Sequence, residues 1–199
     1  MYLPKSFQES NHERLRQLIA DYPFAVLVSH VDDRLFASHV PFLYFDGALW
    51  CHLASANPQA ESLSQGGEVL CIFQGPHAYI SPSWYEKADV PTWNYMAVHV
   101  HGEAKPVGTP RELAELVDRL SSWFEAGFPQ PWKPEYPSRL LAAISGFRIQ
   151  VNEMHGKFKL SQNRSETDRA RVIQALAATE DPLSQAMATA MRRGSGNGE

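Results

Sequence analysis

Cysteine is scarce in this sequence, with only Cys51 and Cys71 among 199 residues. Two thiols cannot build a disulfide framework, so the composition predicts a reducing, cytoplasmic location. No apolar run approaches the roughly 20 residues of a membrane span, and the first ten residues carry no apolar stretch typical of a signal peptide. The sequence therefore predicts no membrane association, and it predicts that both thiols are core residues.

Several catalytic and nucleotide-binding motifs are missing as well. The sequence has no Gly-x-Gly-x-x-Gly fingerprint, no Walker loop and no Gly-x-Ser-x-Gly elbow. Dinucleotide-binding, P-loop and serine-hydrolase functions are therefore not indicated.

Positive charge is also limited, since the formal net charge is −4. This value argues against broad electrostatic attraction to nucleic acid. Two C-terminal helical segments leave direct DNA binding open, but their linker is acidic and no base-reading face stands out. Five arginines fall in these segments: Arg164, Arg169, Arg171, Arg192 and Arg193.

A metal site is not predicted, although four histidines fall on predicted strands. Imidazoles two residues apart on a strand project to the same face. However, no cysteine pair completes a ligand set, and Glu103 follows the last histidine too closely for a cupin-like arrangement. We expect these histidines to be exposed or hydrogen-bonded: His39, His52, His99 and His101.

The longest gap in positive charge runs from Leu35 to Glu86, which contains no lysine or arginine. Within it, Asn57 suits a helix N-cap and Pro58 suits the first helical position. A helix N-terminus can hold a phosphate through its backbone N–H groups, although an ordinary capped helix explains the same pattern. An anion bound here would need neutral donors or a cation from a distant segment, and the basic stretch 157–164 is the best candidate.

Hydrophobic patterning predicts a mainly β protein with peripheral helices. Regular helices do not separate the strands, which argues against a doubly wound sheet and favours an antiparallel barrel or sandwich. We expect one domain over 1–191 and a disordered polar tail over 192–199. Strands are predicted over 24–31, 35–45, 48–54, 68–74, 77–80, 92–107 and 147–151, with helices over 11–20 and from Pro110, Ser165 and Asp181.

Residues 76–95 contain two tryptophans and three tyrosines among serine, threonine, asparagine and proline. Aromatic rings mixed with short hydrogen-bonding side chains suit a planar heteroaromatic ligand. Packing at a subunit interface is the alternative interpretation of this block.

Motifs spread over nearly the whole chain carry a resemblance to a known family. They are Met1-Tyr2-x-Pro4 with Phe7, Ser38-His39-x-Pro41, His52-x-Ala54 leading into Asn57-Pro58-Gln59, Phe73-x-Gly75-Pro76, the run from Tyr79 to Tyr85, the run from Pro91 to Tyr95, and the run from Gly156 to Asn163. On these residues the chain resembles the PaiB-type family, described as FMN-binding negative transcriptional regulators.

The resemblance implies an antiparallel split β-barrel of the FMN-binding type and a homodimer with two FMN sites at the subunit interface. Related proteins hold the FMN phosphate with lysine or arginine on central strands, which 35–86 lacks. We therefore expect Asn57, Gln59 and Lys159 to meet the phosphate. The predicted cofactor contacts are Ser38, His39, Pro41, His52, Ala54, Asn57, Gln59, Tyr79, Ser81, Trp84, Thr92, Trp93, Asn94, Lys159 and Gln162.

Three functions stay open at this point. The first is an FMN-binding regulator that represses genes, directly or through a redox- or ligand-linked step. The second is an FMN-dependent oxidoreductase, in which the flavin does the chemistry and His39, His52 and Tyr79 are the side chains to test. The third is a haem-binding or haem-degrading protein, because related barrels also host tetrapyrroles.

Overall fold

The computed structural model describes residues 1–87 and 89–194. Its strands are β1 (Gln8–Glu9), β2 (Phe24–Val31), β3 (Arg34–Pro41), β4 (Leu43–Phe45), β5 (Ala48–Ala54), β6 (Glu68–Ile80), β7 (Thr92–Pro106) and β8 (Ile144–Lys159). They form one sheet in the order β3-β2-β6-β7-β8-β5-β4, and β1 pairs with β8. The prediction of an antiparallel, mainly β fold is confirmed.

Five α-helices accompany the sheet: α1 (His12–Asp21), α2 (Pro58–Ser64), α3 (Pro110–Glu125), α4 (Glu166–Ala177) and α5 (Pro182–Arg193). The N-cap predicted at Asn57 and the helix starts predicted at Pro110, Ser165 and Asp181 are confirmed, because a capping side chain in each case accepts a hydrogen bond from a backbone N–H in the first turn. These caps are Asn57, Thr109, Ser165 and Asp181. Within the described residues, none of these helices has the length and apolar character needed to cross a bilayer.

Two tight turns set the registers of the neighbouring hairpins. Asp46 and Gly47 adopt positive φ values of 51° and 70° between β4 and β5, as two-residue hairpin turns require. Asp32 and Asp33 do the same between β2 and β3, at 50° and 59°. The hairpin predicted at Asp46-Gly47 is confirmed.

Strand β6 is continuous through Gly75-Pro76, whereas the sequence predicted two shorter strands with a break there. β2 pairs with β6 at Leu70–Ile72, so Pro76 lies beyond that paired stretch and its missing N–H costs no hydrogen bond to β2. Gly75 fits closely, since a Cβ at this position would lie 3.1 Å from Leu18 Cδ1 and 3.3 Å from Met96 Cβ.

Strand β8 extends from Ile144 to Lys159, whereas the hydrophobic pattern predicted only 147–151. Its polar continuation is held by pairing, since Gln8 lies opposite Lys157 and Glu9 lies opposite Gly156. A Cβ on Gly156 would approach Glu9 O to 2.9 Å, which explains why glycine stands there. The basic stretch therefore begins on a strand, not in a solvated loop.

The chain divides into two compact units. The first unit comprises Met1–Leu18, Gln74–Val98 and the chain from His155 onward. The second unit comprises Ile19–Phe73 and His99–Met154. Both units combine separate stretches of sequence, so a single domain over 1–191 stays a prediction. Of the predicted tail, Arg192 and Arg193 belong to α5, and residues 195–199 lie outside the described residues.

Candidate functional site

The predicted contacts up to Gln59 all lie in the second unit, where Asn57 joins two of them. Its Oδ1 accepts a hydrogen bond from Gln59 N at 2.9 Å, and its Nδ2 donates to Ser38 Oγ at 3.0 Å. Asn57 therefore caps α2 and also links this helix to β3.

Gln59 is completely buried, with 0% of its surface exposed. Its Nε2 donates to Leu27 O at 3.2 Å and to Ser29 Oγ at 2.9 Å, and Phe36 O lies 3.4 Å away. These acceptors belong to β2 and β3, so the side chain anchors α2 against two strands. Its amide nitrogen has no hydrogen left for a ligand.

The N-terminus of α2 is satisfied within the chain. Pro58 has no N–H, Gln59 N donates to Asn57 Oδ1, and Ala60 N donates to Asn57 O at 2.8 Å. The first three positions of this seven-residue helix therefore offer no free backbone donor. The capped helix is confirmed, while phosphate contacts by Asn57 and Gln59 stay a prediction that no free backbone donor of this helix start supports.

Two histidines of the second unit have different surroundings. His39 is exposed on β3, and its ring stacks on Phe24 with centroids 6.1 Å apart. His52 is partly buried on β5, and burial lowers its pKa, so the imidazole is neutral at physiological pH. In the described chain its buried Nδ1 has no hydrogen-bond partner. Pro41 is partly buried at the end of β3, and Ala54 is exposed at the end of β5.

The remaining predicted contacts lie in the first unit, where Lys159 connects three elements. Its Nζ donates to Thr92 Oγ1 and, at 2.8 Å, to Trp93 O. The same ammonium lies 5.8 Å from the centroid of the Phe7 ring, a cation–π distance. The structure thus brings together three residues that the sequence had selected from two distant motifs, and it adds Phe7, which the N-terminal motif contained but which we did not select.

The charge of Lys159 is not neutralised locally. Within the described residues no carboxylate forms an ion pair with its Nζ, and its neighbours Lys157 and Arg164 are both cations. Burial, followed by repulsion from these two cations, lowers the pKa of Lys159. Two of the three ammonium hydrogens are used by Thr92 and Trp93, so one remains for an anion.

Exposed aromatic rings lie on β6 and β7 of the same unit. Trp93 is 54% exposed and Tyr79 is 47% exposed, and their rings meet edge to face with centroids 6.0 Å apart. His77 lies 6.2 Å from the Trp93 ring. Large exposed aromatics of this kind are typical of ligand or partner contact. His77 stands in the aromatic block but is not among the predicted cofactor contacts.

Asn94 and Gln162 instead hold the backbone around β8. Asn94 is fully buried, and its Nδ2 donates to Ser161 Oγ at 2.9 Å. Gln162 accepts a hydrogen bond from Leu160 N at 2.7 Å and donates to Phe158 O. Both side chains therefore fix the turn that follows Lys159.

The loop after β6 is tied to α4. Ser81 caps the 3₁₀ turn Pro82–Trp84, in which Trp84 is partly buried. Beyond it, Glu86 N donates to Asp168 Oδ1 at 2.8 Å, and Arg164 pairs with Asp89. The described part of the aromatic block is therefore a fixed part of the first unit and not a free loop.

Two solved structures with a similar fold are described as flavin proteins. The FAD- and haem-binding protein from Mycobacterium smegmatis is 17% identical, with a TM-score of 0.66, covering 82% of this chain and 78% of that chain. The flavocytochrome Anf3 from Azotobacter vinelandii is 15% identical, with a TM-score of 0.66, covering 82% of this chain and 75% of that chain. The fold is that of the flavin-binding split barrels, as the sequence predicted.

Sequence comparison identifies the family. Residues 1–153 match the family described as "Putative FMN-binding domain". The chain is also 37% identical to the protease synthase and sporulation protein PAI 2 of Bacillus subtilis over 204 residues, covering 96% of both chains. The chain belongs to this PaiB-type FMN-binding family, and the resemblance seen in the sequence is confirmed.

The first unit offers groups that fit FMN. A flavin nucleotide presents a planar ring system and a phosphate, which call for aromatic surface and for charge-assisted donors respectively. Tyr79 and Trp93 supply exposed rings, and Lys159 supplies a cation with one uncommitted hydrogen beside the Thr92 hydroxyl. In the second unit, the unpartnered Nδ1 of His52 is a further polar atom that a ligand could satisfy.

Proposed function

We propose that the protein is a homodimeric, cytoplasmic FMN-binding regulator of the PaiB type that acts through the redox or ligand state of its flavin. Membership of the FMN-binding family and the similarity to PAI 2, a protein named for protease synthesis and sporulation, support this proposal. The observation that carries it is the contact of Lys159 with the Thr92 hydroxyl and the backbone oxygen of Trp93, in a unit that also exposes the rings of Tyr79 and Trp93.

In this proposal Lys159 and Thr92 hold the FMN phosphate. The Lys159 ammonium is positioned by two acceptors on β7, so little side-chain freedom is lost when an anion binds. Trp93 and Tyr79 provide surface for the ring system. The flavin supplies electron transfer when bound, and the protein supplies position and charge. The contacts predicted for Ser38, His39, Pro41, His52 and Ala54 belong to the same proposal.

Regulation through a partner or a small molecule fits three of the five C-terminal arginines better than direct DNA reading does, whereas Arg192 and Arg193 are exposed. Arg164 pairs with Asp89, Arg171 pairs with Glu86 at 3.4 Å, and Arg169 donates to the backbone of Leu160 at 3.3 Å. Side chains engaged within the fold are not available to contact phosphates or bases.

Titration of the purified protein with FMN tests the phosphate site. Lys159→Met is expected to weaken FMN binding about tenfold, because one charge-assisted hydrogen bond is lost, whereas Lys159→Arg retains most of the affinity. Lys5→Met is the matched control, since Lys5 is an exposed lysine of the same unit. Unchanged affinity in Lys159→Met, with an unchanged melting temperature, would exclude the phosphate role.

Spectroscopy and gel-shift measurements separate the three functions that the sequence left open. A flavin absorbance spectrum supports a flavoprotein, and a Soret band would favour the haem alternative. Turnover of a reduced nicotinamide by the FMN-loaded protein would favour the oxidoreductase.

Light scattering at concentrations above and below 1 µM tests the homodimer. A gel shift with the protein's own upstream DNA at physiological salt would argue against indirect regulation.

A further inference from the structure

Lys157 is a second cation on the strand that carries Lys159, and it is not among the predicted cofactor contacts. The two lysines are two residues apart on β8, so their side chains project to the same face of the strand from Cα atoms about 7 Å apart. Both are partly buried, whereas Phe158 between them points the other way and is 3% exposed. The face that carries the proposed phosphate contact therefore carries two ammonium groups.

The two ammonium groups meet neighbouring positions of β7. Lys159 Nζ donates to the backbone oxygen of Trp93 at 2.8 Å, and Lys157 Nζ lies 5.4 Å from the centroid of the Tyr95 ring. Trp93 and Tyr95 are themselves two residues apart on this strand. Both lysine side chains therefore extend toward the same strand. The charge of Lys157 is felt at Lys159, because repulsion by Lys157 contributes, after burial, to the lowered pKa of Lys159.

The ammonium of Lys157 is held in place by the N-terminal segment. Its Nζ donates to Tyr2 O at 3.0 Å and lies 5.4 Å from the centroid of the Tyr2 ring, in addition to its contact with the Tyr95 ring. Aromatic rings attract a cation without cancelling its net charge. One of the three ammonium hydrogens is used by Tyr2 O. Lys157 is therefore positioned before a ligand binds, and it keeps its charge.

The acids near this part of β8 have other partners. Glu9, on the strand that pairs with this end of β8, lies 2.7 Å from Arg14. Asp89 pairs with Arg164. Over the described stretches of the chain, no carboxylate forms an ion pair with either lysine. The positive charge of this face is therefore not neutralised by an ion pair.

We propose that Lys157 is a positioning residue that acts through Lys159 and makes the site prefer FMN over riboflavin, which has no phosphate. The inference rests on the proposed function. A phosphate monoester carries close to two negative charges at neutral pH, so a single lysine leaves part of its charge uncompensated. A charge that acts on the Lys159 ammonium also acts on an anion bound to that ammonium, because the Coulomb energy depends on charge and distance. Lys157 therefore needs no hydrogen bond of its own to the phosphate.

Parallel titrations with FMN and riboflavin, followed by flavin fluorescence, test the inference. Lys157→Met keeps an apolar stem and removes the charge, so FMN affinity should fall about fivefold while riboflavin affinity stays unchanged. Lys157→Arg should restore FMN binding, because it restores the charge. Lys5→Met removes the same charge from an exposed lysine of the same unit and should change neither affinity.

Ionic strength gives a second readout, which a purely structural role of Lys157 would not move. Added salt screens the attraction between the lysine and the phosphate. FMN affinity should therefore fall more steeply with salt in the wild type than in Lys157→Met, and riboflavin affinity should show the same salt dependence in both proteins.

Two results would overturn the inference alone. Unchanged FMN affinity in Lys157→Met, beside a wild type that binds FMN, would show that the charge does not act on the phosphate. An equal loss of FMN and riboflavin affinity would show that Lys157 supports the fold of the site instead. A wild-type protein that binds neither flavin would contradict the proposed function and this inference together, so the two failures are distinguishable.

Discussion

The predicted cofactor contacts of the two compact units differ in burial and in hydrogen-bond partners. In the second unit, Asn57 and Gln59 direct their polar atoms inward, to Ser38 and to the backbone of β2 and β3. In the first unit, Lys159 retains its charge and a free hydrogen, and Tyr79 and Trp93 expose their rings. The same family motifs thus include residues that build the fold and residues that can meet a ligand. Burial and hydrogen-bond partners separate the two roles.

Replacement of Gln59 is expected to have the largest effect, and it tests whether this residue stabilises the fold or contacts FMN. Gln59→Leu removes the only side-chain donor shared by Leu27 O, Ser29 Oγ and Phe36 O in the described structure, so it should lower the free energy of unfolding by about 2–4 kcal/mol. Urea unfolding measures the effect. Gln65→Leu is the control, because Gln65 is exposed at the end of the same helix. A normally stable Gln59→Leu protein that loses FMN would reverse the assignment.

Truncation of Trp93 tests an exposed residue of the first unit that is proposed to contact the ligand. Trp93→Ala removes an exposed ring but keeps the backbone oxygen that accepts from Lys159, so FMN affinity should fall about tenfold with little change in stability. Fluorescence of the flavin during titration measures the affinity. Trp123→Ala, at a site in the second unit that is 49% exposed, should leave the affinity unaltered. An equal loss in both variants would indicate a general effect on folding.

The pH dependence of FMN binding gives the smallest expected effect. The pKa of Lys159 is lowered from 10.5, chiefly by burial, so its ammonium loses the proton at a lower pH than an exposed lysine does. Since the charged form binds phosphate, FMN affinity should fall about threefold between about pH 8 and pH 10. Lys159→Arg stays charged over this range and should show a flatter profile. Identical profiles in the two proteins would mean that another group titrates.

Most of the fold could be predicted from local patterns, and the misses have physical causes. The predictions of a strand over 24–31 and of a helix starting at Pro110 were correct because strand alternation and helix-start residues act over a few residues. The length of β8 was missed because its polar end is stabilised by β1, which no local pattern reveals. The break predicted in β6 was wrong because Pro76 lies beyond the stretch of β6 that pairs with β2, so its missing N–H costs no hydrogen bond to that strand.

The sequence selected residues of the candidate site, but it did not show which of them can contact a ligand and which stabilise the fold. The family motifs selected Thr92, Trp93 and Lys159, which the structure brings together. They also selected Gln59, whose burial no sequence pattern showed. The gap in positive charge over 35–86 raised the question of which distant cation would reach this segment. The structure gives two in the second unit, where Arg119 and Arg148 lie over rings contributed by that very segment.

The sequence by itself determined the family, the caps at Asn57, Thr109, Ser165 and Asp181, and the turn at Asp46-Gly47. The caps and the turn depend on bonds between residues at most three apart, so each is encoded where it occurs, while the family is encoded in motifs along nearly the whole chain. Only the tertiary structure decided which cation meets which ring and which amide is buried. Those contacts join residues tens of positions apart, through strand register and helix packing that arise from the whole chain.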